Sequence, residues 1–246
     1  MFPVFQIGGL SVQSSGLILL AGLWVALTVV ERMSSRHKVD PNQIGDLTFY
    51  SLLAGLLGAR LSYALRFPSV FAEHPMNLLS LNPGLLDPLG GVLVAVLIAL
   101  IIGQRKNMDF LNVLDTLSPG FAIMGVTVGL SHLAGGTAFG LPSNVPWAIE
   151  LWDVNRHPSQ IYSMLSNLLI LGLLVFRVSP TKMPKGISFT IFLGLSALAR
   201  LFLDAFRGDD ISLIFGLRYT QFWAWLILAF SLWQAQKLLF TSEKKS

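Results

Sequence analysis

The sequence predicts an all-α integral membrane protein, a bundle of seven transmembrane helices with the N-terminus outside and the C-terminus in the cytoplasm. Three observations carry the prediction. Hydrophobic residues fill 53% of the 246 positions and charged ones only 12%, with a mean hydropathy of +0.66, well beyond an ordinary soluble domain. Seven windows lack Asp, Glu, Lys and Arg for most of their length. Each can cross a hydrocarbon layer of about 30 Å, which takes about 20 helical residues. The basic residues, finally, gather on one side of those windows.

The predicted spans are 11–31, 46–66, 86–104, 110–131, 158–177, 186–206 and 217–238. No Lys or Arg precedes Arg32, so the first window lacks the basic region of a cleavable signal peptide and is expected to remain as a span. Arg32, Arg36 and Lys38 follow span one, Arg105 and Lys106 span three, Arg177, Lys182 and Lys185 span five, and Lys237, Lys244 and Lys245 span seven. All eleven fall on one side, which the positive-inside rule makes cytoplasmic. Placement thus explains the net charge of +4 without nucleic acid.

Nothing resembling a linker divides the chain, so residues 1–246 are expected to form a single polytopic membrane domain. Two outer segments are longer than the rest. Residues 67–85 hold Glu73, His74 and the turn signal Asn82-Pro83-Gly84; residues 132–157 hold Gly135, Gly136, Gly140, Pro142 and Pro146. Function is expected at that outer face. Cysteine is absent, so disulfides and thiolate chemistry within the protein are excluded, and any thiol must come from a substrate.

Ions in lipid need a reason, and Arg200-Leu201-Phe202-Leu203-Asp204-Ala205-Phe206-Arg207 supplies three at the end of span six. On a continuous helix Arg200, Asp204 and Arg207 share one face. They serve either as an anion site or as an ion-pair staple between spans. Arg60 in span two lies about 9 Å inward of Arg66 on a regular helix, a depth that favours the bundle interior, whereas Arg66 suits snorkelling to the headgroups. Ala59-Arg60-Leu61 and Ala199-Arg200-Leu201 form a faint echo; if spans two and six are neighbours, their arginines could converge on one anion.

His157 and Pro158 read as the start of span five, followed by Gln160 and an amphipathic Tyr162. The alternative is an interfacial belt, the role expected of Trp147. His132, between span four and the glycine-rich loop, has the acid-base range to accept a proton from an incoming nucleophile; it could equally be a boundary residue. His37 and His74 read as loop residues, and four scattered histidines do not make a metal site.

Several runs together resemble the prolipoprotein diacylglyceryl transferase family. They are Phe5-Gln6-Ile7-Gly8-Gly9-Leu10-Ser11-Val12 with Gly16-Leu17, Gly58-Ala59-Arg60-Leu61-Ser62-Tyr63, Gly90-Gly91, and Gly140 to Ala148. Arg156-His157-Pro158-Ser159-Gln160-Ile161-Tyr162, Arg200 to Arg207, and Gln221 follow in the family's order. The resemblance covers nearly the whole chain and implies seven spans with the N-terminus outside. This sequence departs from the family pattern at Ser14, Ser15, Leu89, Gly129, His132 and Ser163, where the family carries aromatic, ionic or proton-handling groups.

The resemblance implies transfer of a diacylglyceryl group from phosphatidylglycerol to the lipobox cysteine thiol of prolipoproteins in a bacterial inner or plasma membrane, forming a thioether. Its partners would be phosphatidylglycerol, prolipoprotein signal peptides and the lipid bilayer; no cofactor, metal or nucleic acid is expected. On this reading Arg60 and Arg200 bind phosphate, Arg200 acting in catalysis, because a guanidinium grips phosphate oxygens in bidentate fashion. Asp204 and Arg207 orient the set, Tyr63, His157, Gln160 and Tyr162 bind substrate, and His132 is a replacement base. The alternatives are a divergent relative that binds phospholipid or lipoprotein without this reaction, and a transporter, which should show paired broken helices and a midplane polar site.

Overall fold

The computed structural model describes residues 4–7, 10–73, 76, 83–178, 183–209, 213–214 and 217–243. Gly8, Gly9, His74, Asn82, Lys182, Lys244 and Lys245 lie outside the described residues. In chain order the elements are β1 (Val4–Ile7), β2 (Leu10–Gln13), α1 (Ser14–Ser34), α2 (Pro41–Arg66), α3 (Pro68–Glu73), α4 (Pro88–Arg105) and α5 (Phe110–Gly135). Then come β3 (Ile149–Leu151), β4 (Val154–Arg156), α6 (Ser159–Phe176), α7 (Ile187–Leu203), β5 (Leu213–Ile214), β6 (Leu217–Arg218) and α8 (Tyr219–Glu243). The strands form three two-stranded antiparallel hairpins, β1-β2, β3-β4 and β5-β6.

Among the described residues, a long helix lies over each of the predicted windows. Among the described residues, six helical stretches are long and apolar enough to cross a membrane: Ser14–His37, Pro41–Arg66, Pro88–Arg105, Phe110–Gly135, Ser159–Phe176 and Ile187–Phe206. The protein is therefore a multi-pass membrane protein, and large apolar side chains such as Leu65 and Phe176, 83% and 84% exposed, suit a lipid-facing surface. The helix Tyr219–Glu243 is not among the six; Gln221, Gln234, Gln236 and three tryptophans lower its mean hydropathy.

The chain divides into two compact units, Lys38–Val113 and the combination of Met1–His37 with Leu114–Ser246. In the first, α2 begins behind Asp40, whose carboxylate accepts from the Asn42 amide at 2.7 Å, with Pro41 in the first turn. Small residues bring α2 and α4 together. A Cβ on Gly55 would lie 2.9 Å from Ala95 Cβ, and one on Gly91 2.9 Å from Ala59 Cβ. Such stripes let helix backbones approach where lipid removes the hydrophobic drive for association. Lys106 ties the far end to Asp46 at 2.6 Å.

In the second unit α1, α5, α6, α7 and α8 pack through similar steps. Gly22 of α1 abuts the Thr127 side chain of α5, and Gly194 of α7 abuts the Ser231 hydroxyl of α8. Ala122, Ile170 and Leu174 form the buried apolar cluster. The start of α7 is fixed from a neighbouring helix: buried Asp115 of α5 accepts from the Gly186 and Phe189 amides at 2.7 and 2.9 Å. Those amides are orphans of a helix N-terminus, where a carboxylate also meets a favourable dipole.

One expected helix is shorter than the sequence suggested. α7 stops at Leu203, Asp204–Phe206 form a 3-10 turn, and Arg207 is extended. The chain leaves the helix there because Arg207 pairs as an isolated bridge with Gly140, while the Gly208 amide donates to Phe139 O at 2.9 Å.

Candidate active site

A cavity of about 270 Å³ lies among α5, α6, α7 and the segment that follows α7. α5 contributes Phe121, Gly125, Gly129 and His132; α6 contributes Gln160, Ser163, Ser166 and Asn167; α7 contributes Phe192, Ser196 and Arg200; Arg207 completes it. The spacing explains the polarity. Residues 160, 163 and 167 share one helical face, as do 192, 196 and 200, so polar groups run about 10 Å along α6. Phe121, Ile170, Phe192 and Leu203 are its large apolar members. Among the described residues, the lining carries two arginines and no carboxylate.

Asp204 stands just behind the arginines. It is 1% exposed, and its Oδ1 lies 3.4 Å from Arg200 Nη1 and 3.9 Å from Arg207 Nη1. Arg207 is also held in bidentate fashion by Asp209, at 3.0 and 2.9 Å. Its carbonyl accepts from Arg218 Nη2 at 2.6 Å. Arg200 is the more available cation, its side chain 56% exposed.

The loop before α6 is locked onto this segment. The β3-β4 hairpin turns through Trp152 and Asp153, both at positive φ, as a two-residue loop between Leu151 and Val154 requires. Arg156 then reaches back, donating to Leu151 O and Gly140 O, with its guanidinium 4.8 Å from the Phe139 ring centroid. Gly140 is needed: a Cβ there would collide with the His157 carbonyl, and one on Gly208 would sit 2.7 Å from Gly140 O. Ser159 Oγ donates to Ala138 O at 2.6 Å and Gln160 Nε2 to Thr137 O at 2.8 Å, fixing the first turn of α6.

The structure brings His132, Gln160, Arg200 and Arg207 to one cavity, with Asp204 against its arginines. His157 and Tyr162 form a separate cluster. Trp147 Nε1 donates to the Tyr162 hydroxyl at 2.7 Å, that hydroxyl lies 3.2 Å from His157 Nδ1, and the Phe206 and His157 rings meet at a tilt with their centroids 5.1 Å apart. The Tyr162 hydroxyl thus joins the indole N–H of Trp147 to the His157 ring in one hydrogen-bonded chain. Arg60 and Tyr63 belong to the Lys38–Val113 unit. There Arg60 is buried and donates to Leu85 O at 2.9 Å, and the Tyr63 ring meets Phe67 at a tilt and Phe71 edge-on. Arg66 is 63% exposed and lies 3.6 Å from Asp87. The Ser62 hydroxyl, 2.6 Å from Asp87, holds that carboxyl below the usual carboxylate range, helped by Arg66 and the Leu89 and Gly90 amides against the opposing cost of burial.

Sequence reasoning missed Ser196, Asn167, Thr137 and Asp209. Ser196 had a signal, four residues before Arg200 on the same helical face. Thr137 and Asp209 act through loop contacts that no local period encodes. Gly129 marks a close α5–α6 contact: a Cβ there would lie 3.1 Å from both Gln160 O and Met164 Cβ and would press on the α6 backbone.

Fold and cavity together define a multi-pass membrane protein with an arginine-bearing polar cavity enclosed by its helices. Residues 3–235 match the family described as prolipoprotein diacylglyceryl transferase. The chain belongs to that family. It is 28% identical over 208 residues to the phosphatidylglycerol–prolipoprotein diacylglyceryl transferase of Finegoldia magna, covering 84% of each chain. It is 29% identical over 219 residues to the enzyme of that name from Geobacter sulfurreducens, covering 86% of this chain and 84% of the relative. A third relative of the same name, from Bordetella parapertussis, is 28% identical over 251 residues, 98% of this chain and 95% of its own.

Proposed function

We propose that this protein transfers a diacylglyceryl group from phosphatidylglycerol to the cysteine thiol of a prolipoprotein signal peptide. The observation that carries this reading is Arg200, held by buried Asp204 at a polar cavity that His132 also lines, in a chain of this family. The thiol loses its proton to His132, and the thiolate attacks the glyceryl carbon that bears the phosphate. A C–S bond forms as the C–O bond breaks, the electron pair passes to the phosphate oxygen, and glycerol phosphate departs. Arg200 compensates the charge that grows on that oxygen, an electrostatic contribution that strengthens where water is excluded. Arg207 and Asp204 hold Arg200 in place.

In this reading Arg60 serves as a phosphate ligand and Tyr63 as a substrate contact within the Lys38–Val113 unit. His157 and Tyr162, with exposed Trp147, receive the acceptor peptide. The one-sided distribution of basic residues supports seven crossings in the bacterial plasma membrane, with the N-terminus outside and the site near the outer surface. A lipobox peptide incubated with the purified protein in phosphatidylglycerol vesicles tests the reading by mass spectrometry. A diacylglyceryl adduct is the expected result; intact peptide with correctly inserted protein rejects it. The tight packing at Gly129 favours one competing reading, a relative that binds lipid without transfer, which would retain phosphatidylglycerol and form no adduct.

A further inference from the structure

Two buried polar atoms in the cavity lack partners among the described residues, Gln160 Oε1 and Ser196 Oγ. Gln160 is 2% exposed, and its amide is fixed by the donation from Nε2 to Thr137 O. The reverse orientation would set two carbonyl oxygens against each other. Oε1 is therefore a buried acceptor at the cavity wall, a position that a hydrogen-bond donor on a ligand would satisfy. Ser196 stands one turn before Arg200 on the same face of α7, about 6 Å along the axis.

The charges of the lining narrow the donor. Arg200 and Arg207 line the cavity while their partners Asp204 and Asp209 stand outside the lining, so an ammonium donor would meet the guanidiniums before any carboxylate. A neutral hydroxyl attached to an anion meets both demands.

We propose that Gln160 and Ser196 form a diol-reading subsite that selects a glycerol phosphate group, with Gln160 Oε1 accepting from one hydroxyl, Ser196 bonding the other, and Arg200 taking the phosphate. The inference rests on the reading that this cavity holds the lipid donor, and it assigns the donor's headgroup selection to two side chains. The same chemistry is offered by phosphatidylglycerol and by the glycerol phosphate released from it.

The test compares binding of the full-length protein in detergent to phosphatidylglycerol and to phosphatidylpropanol, which has equal charge and chain length but no hydroxyls. Native mass spectrometry reads the occupancy. The wild type is expected to prefer phosphatidylglycerol about tenfold, the scale of leaving a buried acceptor unsatisfied. Ser196→Ala and Gln160→Leu are each expected to narrow that preference to about threefold or less. Ser196→Ala removes a hydroxyl without a protein partner, so it keeps the test open should Gln160→Leu not fold. Equal wild-type binding of the two lipids overturns the proposal, as does an unchanged preference in Ser196→Ala together with any folded Gln160→Leu. Free glycerol phosphate forms the third arm: displacement of bound lipid extends the subsite to the product, no displacement confines it to the lipid, and both agree with the proposal. Diol preference without thioether product supports the subsite and counts against transfer. Thioether formed equally from both lipids overturns the subsite and leaves transfer standing.

Discussion

The Nη1 atom of Arg200 lies 3.4 Å from the Oδ1 atom of Asp204, across a sharp gradient of exposure: the carboxylate side chain is 2% exposed and the guanidinium 56%. An ion pair with one wet partner contributes at most about 1 kcal/mol to stability. Its value is orientation. Arg200→Gln is accordingly expected to unfold within a few degrees of the wild type and to lose transfer about 100-fold or more. Thermal unfolding in detergent and adduct formation measured on one preparation check this. Loss of folding would instead identify the pair as a staple between spans.

Asp204→Asn keeps the shape behind the arginines and removes the charge that aims them. Transfer is expected to fall about tenfold to 100-fold, with the larger effect on turnover, because the group acts through Arg200. Initial rates against lipid concentration separate turnover from binding.

Gly140 has no room for a methyl group beneath the His157 carbonyl. Gly140→Ala must move the loop or the start of α6, and overpacking of this kind costs about 1–3 kcal/mol. A lowered unfolding temperature is expected, along with reduced transfer, since the same loop bridges Arg207.

Asp115→Ala leaves the Gly186 and Phe189 amides unpaired in a buried setting. Loss of such a helix cap costs about 0.5–2 kcal/mol. Chemical denaturation is expected to show that loss, and faster amide exchange is expected in the first turn of α7 before its last.

The Asp87 carboxyl, which caps the helix just ahead of the Pro88–Arg105 span, titrates below the usual range because Ser62 donates to it, with Arg66 and two backbone amides assisting. A carboxyl depressed in the folded state binds its proton more tightly when unfolded. It therefore contributes stability that is full above about pH 4, the unfolded value, and declines as the pH falls through the folded one. Unfolding temperatures between pH 6 and pH 3 are expected to fall less steeply in Asp87→Asn than in the wild type.

Much of this architecture was legible in the sequence because lipid imposes a simple rule on long helices. The windows at 46–66 and 110–131 became Pro41–Arg66 and Phe110–Gly135, the first extended at its start, where Pro41 opens the helix, and the second at its end, to Gly135. The proximity of Arg200 and Asp204 was readable from their spacing of four. The break after Leu203 was not, since it depends on Arg207 pairing with Gly140, 67 positions earlier. His157 and Gln160, three residues apart, were expected to work together. In the structure His157 packs against Phe206 while Gln160 lines the cavity, because the chain turns into its helix between them at Pro158 and Ser159.

The most direct measurement is the mass of a lipobox peptide after incubation with this protein in phosphatidylglycerol vesicles, run beside Arg200→Gln. The expected result is a thioether-linked diacylglyceryl adduct with the wild type and almost none with the variant. An unmodified peptide in the presence of folded, lipid-bound wild type, or equal adduct from both proteins, would contradict a catalytic site built around Arg200.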